Sequence, residues 1–304
     1  MRVEQHEPIR VTGLCCSLLG YSRQAYYQHQ KQQEKEAFEG ELVVQEVLGH
    51  RKLQKRIGGR KLFFMLQPFF QQHCFGMGRD AFFNLLRSYG LLIRVRKRKA
   101  RTTDSNHHFK KYPNLIKEFI PIAPDQLWVS DITYIVIGDS FGYLSLITDA
   151  FSHKIVGFYL SENLSAKGTI LALKQALKNN PNIKGLIHHS DRGVQYCCYE
   201  YVEILNKNSI KISMTEKGDP RENAIAERLN GILKYELLEE DYIQFDLAKE
   251  AVAAAISTYN HLRPHGSIGN LTPFEAHSLN NGEMPKRLWK NYYQLKQKEV
   301  LMET

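Results

Sequence analysis

The chain has 304 residues, 43% hydrophobic and 24% charged, a composition that suits a folded globular protein with one large core and a smaller domain rather than a disordered or fibrous one. Lysine and arginine number 41 against 32 aspartates and glutamates, a net charge of +9, which favours a polyanionic partner, most often nucleic acid. No apolar run reaches the length of a bilayer span and the N-terminus lacks the layout of a signal peptide, so no membrane partner is expected and the protein is expected in the cytoplasm.

Residues 11–29 read as two short helices, broken at Gly20, with Ser22 able to cap the second. Residues 30–41 are charged and read as a linker or an exposed helix. From 41 to 90 the periodicity is helical again. Phe82, Leu85, Leu86 and Tyr89 recur on one helix face. Short helices joined by glycine-containing turns suit a helix-turn-helix unit, the alternative being a generic helical bundle. Six of the eight residues from 94 to 101 are basic: Arg94, Arg96, Lys97, Arg98, Lys99 and Arg101. Such a run repels itself unless solvated or matched by an anion. Following a helix-turn-helix pattern, it favours DNA backbone contact over a solvated tail. The polar stretch after it reads as a linker. The domains expected are a helical segment at 1–40, a DNA-binding region at 41–105, a linker at 106–122, an α/β core at 123–285 and a tail at 286–304.

From about residue 125 the pattern becomes β-rich. "QLWVSDITYIVI", "YLSLITDAF" and "SHKIVGFYLS" have connections short enough for an antiparallel meander. A helix over 165–180, a strand at 183–191, a helix over 196–208 and a short strand at 210–214 follow. A long helix spans roughly 221–240 and another 246–262. The order β-β-β-α-β-α-β-α predicts an α/β architecture with a mixed five-stranded sheet. The five cysteines are odd in number and show no C-x-x-C, so neither a disulfide framework nor a zinc ribbon is indicated. The placing of His188 and His189 before Cys197 and Cys198 is not a standard zinc spacing.

Asp131 lies among Trp128, Val129, Ile132 and Tyr134 in the first strand. A carboxylate in a buried strand is costly unless paired or metal-bound, though it can instead sit on a solvent face. Asp191 ends the strand "GLIHHSD", where an aspartate is otherwise a turn former. On a wheel of the long helix, Ile225, Ala226, Leu229, Ile232, Leu233 and Leu237 share one side. Asn223, Glu227, Asn230, Gly231 and Lys234 share the other, with Leu238 a misfit on that polar face. Fifty-nine residues separate Asp131 from Asp191, and 35 separate Asp191 from Glu227. Three carboxylates on a strand, a strand end and a helix can converge at one sheet edge and hold Mg²⁺ or Mn²⁺. Two such ions about 3.5–4 Å apart can serve both the attacking and the leaving oxygen. Lys234, two turns beyond Glu227, can hold a phosphate beside them.

The ordered motifs "LWVSDITYI", "HHSDRGVQY" and "DPRENAIAERLNGILKYE", with "YNHLRPHGSIGNLTPFEA" after them, resemble an insertion-sequence transposase with a retroviral-integrase-type core. The resemblance is to the second-frame protein of insertion-sequence family three and covers nearly the whole chain. It implies a ribonuclease-H-like fold, Asp131, Asp191 and Glu227 as the catalytic triad, and Lys234 at the basic position that follows the glutamate. It also implies metal-dependent cleavage and transfer of double-stranded DNA at element ends and target, by a homo-oligomer assembled on DNA in a bacterial nucleoid. The zinc module of retroviral integrases is not visible, and a separate first-frame transposase protein is a possible partner. Arg79, at the start of a helix read over 78–89, is the expected base contact. Two rivals share the pattern: a metal-dependent nuclease on the same fold, and a non-catalytic DNA-binding protein derived from a transposase.

Overall fold

The computed structural model describes residues 7–93, 108–181, 183–216 and 223–279, so the basic run at 94–101 lies outside the described residues. The chain divides into two compact units. One takes in the chain up to residue 93 except 53–57, and the other holds residues 53–57 and the rest.

The first unit is helical. Helix α1 (Glu7–Leu18) stops before Gly20, whose φ of +73° is the left-handed turn that glycine enters without strain. Ser22 Oγ then accepts the Ala25 N–H at 3.0 Å and starts α2 (Arg23–Leu53). The charged stretch at 30–41 is an exposed part of this one helix, carrying an i,i+4 bond from Gln32 to Glu36 at 2.7 Å. Burial in α2 begins at Gly40 and continues through Val43, Val44 and Val47. Helices α3 (Gly59–Met65), α4 (Gln67–Gln72) and α5 (Arg79–Ser88) add Leu62, Leu66, Phe70, Phe82 and Leu86 to the buried set. On the predicted apolar face of α5, Phe82 and Leu86 are fully buried, but Tyr89 stands 49% exposed past the helix end.

The second unit is built on a mixed sheet. Strands β1 (Leu127–Ile137), β2 (Ser140–Asp149) and β3 (Ile155–Ser161) form the antiparallel meander. After α6 (Ala166–Asn179), β4 (Ile187–Ser190) returns parallel to β1. Helices α7 (Val194–Cys197) and α8 (Tyr199–Lys207) lead to β5 (Lys211–Met214), parallel to β4. The strand order is β3-β2-β1-β4-β5, and a two-residue sixth strand, β6 (Asp241–Tyr242), pairs with the far end of β1. Helix α9 (Ala224–Ile232) precedes β6 and runs on as a π-turn (Leu233–Leu237); α10 (Phe245–His261) and α11 (Pro273–His277) follow. Helices cover both faces, and this is the ribonuclease-H-like arrangement.

Period-two alternation along β1 assigns the faces. Trp128 and Ile132 join the core under α6 and α8, whereas Val129 and Ile135 pack toward α9 and α10. Gly157 on β3 allows α6 to lie against the strand, since a Cβ there would come within 2.8 Å of the Ala176 Cβ. Among the described residues, no helix is long and apolar enough to cross a membrane.

Candidate active site

Asp131 sits on the α9 face of β1, Asp191 is the first residue past β4, and Glu227 is in the first turn of α9. The Asp131 Oδ1 accepts the Ile132 N–H at 2.9 Å, and its Oδ2 accepts the Asn230 amide N–H at 2.6 Å. Asn223, at the N-cap of α9, donates to the Ser130 carbonyl at 3.0 Å. Helix α9 is therefore stapled to β1 on both sides of Glu227. Asp191 Oδ1 accepts the Gly193 N–H at 2.9 Å in an Asx-type turn. A Cβ on Gly193 would come 3.0 Å from that oxygen, so glycine leaves the carboxylate room.

The carboxylates feel one another. Burial pushes the Asp131 carboxyl up to about 7, with the charges of Asp191 and then Glu227 adding to the rise; the hydrogen bonds from Ile132 and Asn230 oppose it. Tyr196 is fully buried and held well above the usual phenol range, first by burial, then by Asp191 and Asp131. Among the described residues its hydroxyl has no hydrogen-bond partner, nor has the Asn230 Oδ1. Behind β1, His188 Nε2 lies 2.7 Å from Ser130 Oγ and 2.9 Å from Tyr201 Oη. Burial lowers His188 to about 3, so it stays neutral.

Among the described residues, one set of three ligand atoms from His, Cys, Asp or Glu lies within 4.8 Å of one another, and it belongs to Asp125, Asp149 and His277 rather than to the triad. Spacing alone would let it hold a cation, but its atoms already have protein partners. Asp149 Oδ1 accepts from the Ser152 N–H at 2.7 Å and the Ser152 hydroxyl at 2.6 Å. Asp149 Oδ2 accepts the Asp125 N–H at 2.8 Å, and Asp125 Oδ1 accepts the Trp128 indole N–H at 2.9 Å. We read this cluster as a tie that fastens α11 to the start of β1.

Of the predicted DNA-contacting residues, Arg79 opens α5 in the helical unit, 67% exposed and 3.0 Å from Asp80. Lys234 lies in the π-turn after α9, with its ammonium 5.9 Å from the Tyr134 ring centre. Arg94, Arg96, Lys97, Arg98, Lys99 and Arg101 lie outside the described residues. Sequence reasoning placed Asn223 and Asn230 on Glu227's helix face without giving either a role. Their positions four before and three after Glu227 were the available signal.

Residues 121–220 match the family model described as Integrase core domain, and residues 208–273 match a second model of the same description. The α/β unit is thus an integrase-type polynucleotidyl transferase core. The chain is 34% identical over 266 residues to the 31 kDa protein of insertion element IS600 from Shigella sonnei, covering 85% of this chain and 95% of that one. It is 28% identical over 260 residues to the putative transposase of IS986/IS6110 from Mycobacterium tuberculosis, covering 82% and 92%. The chain belongs to the family of insertion-element transposases with an integrase core domain. The catalytic core of HTLV-2 integrase in complex with magnesium is similar over 51% of this chain and 98% of its own, at 22% identity and a TM-score of 0.41.

Proposed function

We propose that the chain cleaves DNA at the ends of an insertion element and joins them to target DNA, with Asp131, Asp191 and Glu227 as its catalytic carboxylates. The supporting observation is the state of Asp131: burial raises its carboxyl to about 7, and the charges of Asp191 and Glu227, two acids from distant parts of the chain, add to that rise. Such crowding is unfavourable without a compensating cation. The three residues offer only oxygen donors, and Asn230 Oδ1 is a buried oxygen with no hydrogen-bond partner among the described residues, a set that fits Mg²⁺ or Mn²⁺. Asp131, Asp191 and Glu227 would hold the cations, two by this reading. Bound there, they would supply Lewis-acid polarisation of the phosphate and charge neutralisation at the attacking and leaving oxygens.

The chain's own residues do the rest. In cleavage, water attacks phosphorus and the P–O3′ bond breaks, leaving a 3′-hydroxyl. In joining, that hydroxyl attacks a target phosphodiester and displaces another 3′-oxygen. No protein–DNA bond forms, so no serine or tyrosine nucleophile is required. Lys234 would hold a DNA phosphate beside the carboxylates. The run from Arg94 to Arg101 would bind backbone with little sequence preference, and Arg79 would reach base edges. Joining two ends calls for more than one active site, hence a homo-oligomer on DNA, with a first-frame protein as a further partner. The bacterial cytoplasm, at the nucleoid, is where such a reaction takes place.

The test is incubation with a labelled element-end duplex and Mg²⁺. Joined products support the transposase reading. Nicked ends that never join support a nuclease on the same fold, and metal-independent binding without chemistry supports a DNA-binding derivative.

A further inference from the structure

The helix bearing Glu227 does not finish as an α-helix. At Leu233–Leu237 it widens into a π-turn, closed by the Leu238 N–H donating to the Leu233 carbonyl at 2.8 Å. Such turns are uncommon and often mark functional positions. This one is held from two directions. The Glu236 carboxylate takes a forked set of bonds from Arg263: Nε to Oε2 at 2.9 Å, and Nη2 to Oε1 at 3.0 Å and to Oε2 at 2.8 Å. The Glu236 carbonyl accepts the Arg56 N–H at 3.1 Å, from the 53–57 segment that packs with this unit.

Arg263 is an unusual side chain for a protein interior, 2% exposed. Its Nη1 lies 2.8 Å from His265 Nε2, and its guanidinium sits over the Tyr259 ring at 6.0 Å. Taking a guanidinium and a carboxylate out of water offsets most of their attraction, so a pair of this kind adds little net stability while fixing geometry. The geometry it fixes is that of the π-turn, and the same five residues carry Lys234. The helix ends there: Leu238 is extended (ψ 158°), and Leu237 and Leu238 are both buried.

We infer that Arg263 is a positioning residue: through Glu236 it holds the π-turn and so aims Lys234 at the DNA backbone. The inference rests on the reading of Lys234 as a phosphate contact and adds to it the residues that set its direction. It also gives the "RPH" of the tail motif a function, since Arg263 and His265 build one side of the clamp.

The experiment measures binding of an element-end duplex in EDTA, so that no chemistry intervenes, for the full chain and for Lys234→Ala, Glu236→Asp and the double variant. Glu236→Asp keeps the buried charge and withdraws the carboxylate by one methylene, which makes folding the expected outcome; thermal melts check it. Arg263→Lys, which keeps the charge but loses the fork, is the second probe. We expect Glu236→Asp and Arg263→Lys each to weaken binding about tenfold in the native chain but by no more than about twofold in the Lys234→Ala chain, the non-additivity of coupled residues. A merely structural role would give equal losses in both chains, and that result overturns the inference. Unchanged binding in Glu236→Asp does so as well. If Lys234→Ala itself binds normally, the phosphate-contact reading falls, and the inference with it. If Lys234→Ala is weak while Glu236→Asp is normal, only the inference falls.

Discussion

Replacing Asp131 by asparagine should make the metal-free protein more stable at neutral and alkaline pH. In the folded chain the carboxyl ionises only near 7, against a reference value of 3.8. The unfolded chain therefore releases this proton first, and stability falls as pH rises between about 4 and 7. At about 1.4 kcal/mol per pH unit, the loss approaches about 4 kcal/mol above pH 7 and vanishes below pH 4. Asp131→Asn removes it with little rearrangement. The retained oxygen can still accept from Ile132, and the new amide N–H can meet a turned Asn230, whose Oδ1 has no hydrogen-bond partner among the described residues. Urea unfolding in EDTA from pH 4 to 9 measures the effect, and the difference between the two proteins reports the titration of Asp131 together with its coupling to Asp191 and Glu227. The variant should match the native chain at pH 4 and surpass it progressively up to pH 7. Parallel pH profiles, or a native chain that gains on the variant with rising pH, would refute the reasoning.

Asn230→Ala removes a hydrogen bond that holds the Asp131 carboxyl down, so Asp131 should titrate higher still; carbon NMR of the labelled carboxyl reads this directly, and an unmoved titration contradicts it. Gly157→Ala drives a methyl into the Ala172 carbonyl and against Ala176 of α6, and should cost about 3 kcal/mol or more through overpacking, seen as a lowered melting temperature. His188, lowered by burial to about 3, should show no imidazole titration by NMR between pH 5 and 8. The unfolded chain protonates His188 near 6.5, so its contribution to stability is present above that pH and is lost as pH falls toward 3.

The sheet was legible because β1, β2 and β3 carry strong apolar runs separated by short turns, and because Gly138 marks the hairpin with a positive φ. Asp131 and Asp191 were legible for a related reason: a carboxylate inside or ending an apolar run breaks the pattern. The π-turn was not, since a wheel assumes one period throughout. Its single trace was Leu238, a misfit on the polar face that is 3% exposed once the turn is widened. The break between α7 and α8 was equally hidden, because Cys198 turns to an extended conformation (ψ 149°) inside a run that reads as one helix. Contacts across the chain left no local trace. Asn230 meets Asp131 across 99 residues and Arg263 meets Glu236 across 27, separations that no periodicity spans. The same holds for the Asp125, Asp149 and His277 tie, which joins a loop, a strand end and the last described helix.

The most direct measurement of the central claim is Mn²⁺ binding by calorimetry to the native chain, to Asp131→Asn, Asp191→Asn and Glu227→Gln, and to His277→Gln as the control at the competing cluster. The account predicts that each of the first three variants loses binding and that His277→Gln retains it. Binding that survives in all three but disappears with His277→Gln would contradict the account and move the metal site to Asp125 and Asp149.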